Sequence, residues 1–143
     1  MNPNTSISDI MTRNLVSVQE DASLYDVIAL VRKHHIRHIP VLKGKQITGI
    51  ISSNDINRLT FGGLFNNQDG IDDTIINMMT VPQVMTSHPT VVQSSQTITE
   101  VASILSNGDY HSLPVEEGGK CVGIVTTTDL LKYMVAVFEK VTV

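Results

Sequence analysis

The segment Gly49-Ile50-Ile51-Ser52-Ser53-Asn54-Asp55 returns 74 residues later as Gly123-Ile124-Val125-Thr126-Thr127-Thr128-Asp129. The same offset holds without a gap over the flanking chain. Met11-Thr12 matches Met85-Thr86, and Val18-Gln19 matches Val92-Gln93. Val27 matches Val101, Pro40-Val41 matches Pro114-Val115, and Gly44 matches Gly118. A period this long, used twice, gives two copies of one supersecondary unit and excludes a solenoid of many short repeats.

Each copy reads as β-α-β-β-α. A short extended lead-in is expected at 16–18 and at 90–92. Ser23-Leu24-Tyr25-Asp26 and Thr97-Ile98-Thr99-Glu100 are capping-box patterns that open a helix. Leu24, Val27, Ile28 and Val31 then fall on one helical stripe, as do Ile98, Val101, Ala102 and Leu105. Gly108 is expected to stop the second of these helices. The first has no such glycine and is expected to fray into His34-His35. Strands follow at 39–42 and 113–116, where an early proline points to an edge position or an interrupted ladder. Lys43-Gly44-Lys45 and Glu117-Gly118-Gly119 are turns that join them to strands at 46–51 and 120–125. A last helix opens near Ser52 or Asn54, and near Thr126 or Thr128. Its apolar residues are Ile56 and Leu59 in the first copy. In the second they are Leu130, Leu131, Met134, Val135 and Phe138. One copy cannot bury its own apolar faces. Two packed copies make one α/β (α+β) domain with approximate twofold symmetry.

The segment 60–80 breaks the pattern. Phe61-Gly62-Gly63 and Asn66-Asn67-Gln68-Asp69-Gly70 read as loop, and 71–79 as a short connecting helix. Phe61, Leu64 and Phe65 either tuck back onto the domain or meet a partner.

Composition narrows the function. A net charge of −4 over 143 residues shows no basic excess, which argues against nucleic acid as a partner. With no Trp, three Tyr and three Phe there is no base-stacking platform. The single Cys121 allows no internal disulfide and reads as a small buried hydrophobe. No apolar stretch approaches a membrane span, and the first eight residues lack a signal pattern, so a cytoplasmic location and no membrane partner are expected. No serine or cysteine nucleophile has a base partner by motif, so the chain is not expected to be an enzyme. His34 and His38 have i, i+4 spacing, but a strand should begin near His38 and no acid or cysteine lies close by; no metal site is expected. A calcium loop over Asn66–Asp73 fails, because Phe65 and Ile76 would stand at ligand positions.

The repeated motif carries the candidate chemistry. Asp55 and Asp129 each sit in the first turn of a helix, just after a strand. A carboxylate there can accept both hydrogens of a ribose 2′,3′-diol. It can equally be a helix N-terminal acid with no ligand. Ser52, Asn54, Thr126 and Thr128 lie beside backbone N–H groups unpaired at a helix start, which is a phosphate niche or plain capping.

Three features occur in register in both copies. These are Met11-Thr12 with Met85-Thr86, Ile39-Pro40-Val41 with Leu113-Pro114-Val115, and the Gly-apolar-apolar-Ser/Thr-x-x-Asp segment. Together they resemble a tandem pair of cystathionine-β-synthase (CBS) domains, a Bateman module, from about Ser8 to Tyr133. The resemblance implies CBS repeats at 8–60 and 81–138 joined by a linker at 61–80, packed with pseudo-twofold symmetry. It implies a non-catalytic regulatory module that senses energy state or a metabolite. Such a module binds AMP, ADP, ATP or another adenosyl compound in clefts between the repeats and requires no cofactor. It also implies a disk-like homodimer of two modules, and a regulated protein partner.

By the family pattern each cleft draws on both repeats. One would combine Ser17, Ile36, Arg37 and His38 with Thr126, Thr128 and Asp129. The other would combine Val91, Tyr110, His111 and Ser112 with Ser52, Asn54 and Asp55. Ile39-Pro40 and Leu113-Pro114 continue the lining, and Thr12 and Thr86 add a hydroxyl each. Arg37 is the candidate phosphate partner, because its guanidinium fork suits phosphate; a solvated surface cation is the plain alternative. The cleft with Arg37 is thus the more anion-ready. The competing functional reading is a ligand-free module for dimerisation and protein interaction.

Overall fold

The computed structural model describes residue 2, residues 4–64 and residues 76–141, with only the backbone at 60–64 and 141. The chain divides into two compact units. One is Val16–Pro89; the other joins Met1–Leu15 to Thr90–Val143.

In the Val16–Pro89 unit, β1 (Val18–Gln19) leads to α1 (Leu24–His34), β2 (His38–Lys43), β3 (Gln46–Ser52) and α2 (Ser53–Leu64). A short helix α3 (Val81–Val84) and β4 (Thr86–Ser87) complete it. The sheet order is β1-β2-β3-β4, with β1 parallel to β2 and the other pairs antiparallel. The second unit repeats this order with β5 (Val92–Gln93), α4 (Ile98–Asn107), β6 (Ser112–Glu117), β7 (Lys120–Thr126) and α5 (Thr127–Val141). Its sheet is β5-β6-β7, with β5 parallel to β6 and β6 antiparallel to β7. The β-α-β-β-α reading of each copy therefore holds.

Local chemistry explains the elements. Ser23 Oγ accepts the Asp26 N–H at 3.1 Å, and Thr97 Oγ1 accepts the Glu100 N–H at 3.1 Å, so both expected helix starts are capped. Leu24, Val27 and Ile28 are buried on α1; Ile98, Val101 and Leu105 are buried on α4. Each hairpin closes through two residues in which Gly44 (φ 64°), Gly118 (φ 60°) and Gly119 (φ 78°) take the left-handed backbone a tight turn needs.

Three expectations about helix ends, loops and burial need correction. α1 does not fray: His35 ends it in a left-handed conformation (φ 51°, ψ 38°), whereas Gly108 ends α4 with extended backbone. Phe61-Gly62-Gly63 is not loop but the last turn of α2. A helical glycine costs only about 1 kcal/mol, and α2 is already anchored by Ile56 and Leu59 in the core. Cys121 is only half-buried.

The prolines stand in inner strands, since β2 lies between β1 and β3. The Ser53 N–H donates to the Arg37 carbonyl at 2.7 Å, and alternation along the ladder then places Pro40 opposite Ile50 at a position that makes no hydrogen bond to β3. β1 begins its pairing only at Val41, so no ladder bond is lost at Pro40. Pro114, opposite Ile124, repeats the arrangement. Residues 76–78 are helical. The earlier part of the helix expected over 71–79, the loop 66–70 and Phe65 lie outside the described residues.

Each unit takes its lead-in from the other sequence copy. Thr12 pairs with Ile124 on the outer side of β7, and Ile7 and Met11 join the core of Val92, Ile98, Val101, Leu113, Val115 and Val125. Correspondingly Thr86 pairs with Ile50 on β3, and Val81 joins the core of Leu24, Val27, Ile39, Val41 and Ile51. The Met-Thr and glycine motifs meet here. A Cβ on Gly49 would run into the Met85 side chain, and one on Gly123 would meet the Thr12 carbonyl oxygen at 2.7 Å and the Met11 sulphur at 3.1 Å. Glycine lets the lead-in strand lie flat on the hairpin.

Candidate functional site

The strand-to-helix junction is the same device in both units. Ser52 closes β3 and Thr126 closes β7, and each precedes the first helical residue. Ser52 Oγ accepts the Asp55 N–H at 3.1 Å, while Asp55 Oδ2 accepts the Ser52 N–H at 2.9 Å. Thr126 and Asp129 exchange the same two bonds at 3.1 and 3.0 Å. The Ser/Thr-x-x-Asp motif is thus a reciprocal capping box that uses aspartate. The capping reading of these residues is realised, and one carboxylate oxygen of each aspartate is committed to it.

The remaining helix-start donors divide in a regular way. The N–H of Ser53 goes to the Arg37 carbonyl at 2.7 Å, and that of Thr127 to the His111 carbonyl at 3.1 Å. Thr127 Oγ1 donates to the same His111 carbonyl at 3.1 Å. No acceptor among the described residues takes the N–H of Asn54 or Thr128. Those second helical positions are where an anion gains most from the helix start.

Outside the box the two junctions differ. At Asp129 the Thr12 hydroxyl donates to both carboxylate oxygens, at 3.2 Å each. The lead-in strand delivers that hydroxyl, through mutual backbone bonds of Thr12 and Ile124 at 2.8 and 3.0 Å. Thr86 arrives on β3 in the same way. At Asp55, however, Oδ1 is held by the guanidinium of Arg58, one helical turn on. The Asp55 side chain is 12% exposed and that of Arg58 77%. The residue matching Arg58 in the second copy is Lys132.

Other candidate residues are placed as follows. Arg37 is exposed just before β2, and His38 pairs with Ser52, so both stand beside the Asp55 junction of their own unit. His111 is exposed, and Ser112 pairs with Thr126 beside Asp129. Ser112 is only 7% exposed. Ile39 and Leu113 are core residues and Ile36 packs on the core, so what they offer a ligand is mainly backbone. Pro40 and Pro114 are buried. Ser17 and Val91 are half-buried, each one residue before its lead-in strand. Tyr110 is 42% exposed, and its hydroxyl accepts from Thr90 Oγ1 at 2.8 Å.

Sequence reasoning missed Arg58, Thr127 and the glycine–methionine contacts. An i, i+3 acid–arginine spacing was the available signal for the first. Burial pushes the Cys121 thiol pKa up, and the thiol donates to the Gly123 carbonyl at 3.6 Å. Among the described residues no three His, Cys, Asp or Glu are placed to hold a metal ion. No helix among them is long and apolar enough to cross a membrane.

Residues 7–61 and 81–136 match the family model of the CBS domain, and the chain belongs to that family. A homoserine O-acetyltransferase of Methanosalsum zhilinae is 30% identical over 90% of the chain. The chain spans only 24% of that relative's length. Among solved structures, CBSX2 of Arabidopsis thaliana in complex with AMP superposes with a TM-score of 0.77 at 23% identity, over 93% of this chain and 98% of that one. The CBS domain pair of protein MJ0100, in complex with 5′-methylthioadenosine and S-adenosyl-L-methionine, gives 0.75 at 24% identity, over 94% and 98%. At these identities the likeness shows the fold: a mixed α+β CBS pair.

Proposed function

We propose that the chain is a non-catalytic regulatory module that binds adenosine-containing ligands at its strand–helix junctions and works as an energy or metabolite sensor in the cytoplasm. The observation that carries this is the duplicated junction. A carboxylate oxygen, a hydroxyl and an uncommitted helix-start N–H come together at Asp129, Thr12 and Thr128, and the frame recurs at Asp55. A ribose diol needs the acceptor, and a phosphate needs the N–H. The complexes of CBSX2 with AMP and of MJ0100 with two adenosyl compounds support the ligand class.

Calorimetric titration with AMP, ADP, ATP and S-adenosylmethionine, with GMP as control, tests the reading. Binding of at least one adenosyl ligand, lost in Asp55→Ala/Asp129→Ala, is the expected result. No heat at millimolar ligand, or a double variant that binds like the native chain, contradicts it.

One observation favours a second reading, a ligand-free dimerisation module. On α5, Leu131 (56%), Val135 (55%) and Phe138 (57%) are exposed and recur at helical spacing. A homodimer with no thermal shift from any ligand would select it. The two readings share the dimer, through which a bound nucleotide would be signalled to a regulated protein.

A further inference from the structure

We propose that Arg58 biases the ligand toward one junction: paired with Asp55, it competes with a ribose there and leaves Asp129 as the tighter site. This rests on the functional reading above and assigns the two copies unequal roles.

The argument comes from what each carboxylate must release. At both junctions Oδ2 accepts a backbone N–H of the capping box. The other partner differs in kind. Thr12 offers Asp129 one hydroxyl shared between two oxygens at 3.2 Å, a long and divided bond. A hydroxyl rotates, and it accepts as well as donates, so it can turn to receive a ribose hydroxyl without leaving the site. Arg58 offers Asp55 a guanidinium, which only donates and carries a full charge. A neutral diol that approaches Asp55 must displace a cation and replaces it with weaker donors. Asp55 has little contact with solvent, so water does not loosen the pair from that side. Among the described residues Lys132, which matches Arg58, forms no ion pair, and no cation is paired with Asp129.

The exposure of Arg58 limits the effect. An exposed pair is worth at most about 1 kcal/mol, about fivefold in affinity. The closure is therefore a bias in favour of Asp129.

The test is calorimetry of the full chain with AMP on five proteins: native, Arg58→Gln, Asp129→Ala, Asp129→Ala/Arg58→Gln, and Asp129→Ala/Arg58→Gln/Asp55→Ala. The native chain should bind AMP most tightly at Asp129, and Asp129→Ala should retain only the weaker binding at Asp55. Adding Arg58→Gln should tighten that residual binding about two- to fivefold, and adding Asp55→Ala should then remove it. The thermal midpoint without ligand should fall by no more than a few degrees in Arg58→Gln, which separates site opening from loss of the fold. Equal residual binding with and without Arg58, or weaker binding once it is removed, would overturn the proposal. The second outcome would make Arg58 a phosphate contact. If no variant and not the native chain binds AMP or the other adenosyl ligands, the functional reading fails and this inference with it.

Discussion

A methyl group added at Gly123 would press on the Thr12 carbonyl, whereas at Gly49 it would press on the Met85 side chain. Backbone held in a bridge by two hydrogen bonds cannot step aside, but a thioether can take another rotamer. Gly123→Ala should therefore cost about 1–3 kcal/mol, and Gly49→Ala clearly less. Urea unfolding measures both, and equal costs would contradict the assignment of the two contacts. Asp129 and Asp55 were legible as functional candidates because the motif repeats. Ser52 and Thr126 were legible as caps, and the family resemblance offered the Thr12 hydroxyl, but the direct contacts of Thr12 and Arg58 with the carboxylates were not. Thr12 reaches Asp129 from the opposite end of the chain, so no local pattern signals the contact. Arg58 was readable only as one of several charges that solvent could equally have claimed. The αL backbone of His35 was hidden for a similar reason, since glycine is the usual marker of that conformation.

At the scale of elements the helices α1 and α4 were legible, because cap and stripe are both local. The hairpins were legible from their glycines. The C-terminal end of α2 was not, since Gly62-Gly63 reads as a break while burial of Ile56 and Leu59 holds the helix. The lead-in segments were the largest surprise. Ile7 is fully buried beside Val92, Val101 and Val115 rather than trailing from the first copy. The cause is geometric. β7 presents an open outer edge, and Gly123 on it accepts the Met11-Thr12 segment. Ile7→Ala should lower the unfolding free energy by about 2–5 kcal/mol. A change within about 0.5 kcal/mol, the range of ordinary surface substitutions, would show the segment to be a loose tail. Thr126→Ala, which strips the cap of α5, should cost about 1 kcal/mol in the same assay. Thr126→Ser should restore most of it.

At the scale of the molecule, duplication doubled every signal, and so the fold was readable from one sequence. It also concealed how unlike the copies are, because a matched motif says nothing of what surrounds it. The exposed face of α5 belongs to this scale. The proposed homodimer should be seen by sizing with light scattering, and Leu131→Asp/Val135→Asp should convert it to monomer. A variant with the native mass would rule that face out of the interface. The central claim is that the paired aspartates read a ribose diol, and one comparison addresses it: calorimetry with AMP against its 2′,3′-dideoxy analogue. Hydrogen bonds to a charged acceptor contribute about 1.5–3 kcal/mol, so the analogue should bind the native chain about ten- to a hundredfold more weakly. Equal affinity of the native chain for the two compounds would contradict the account.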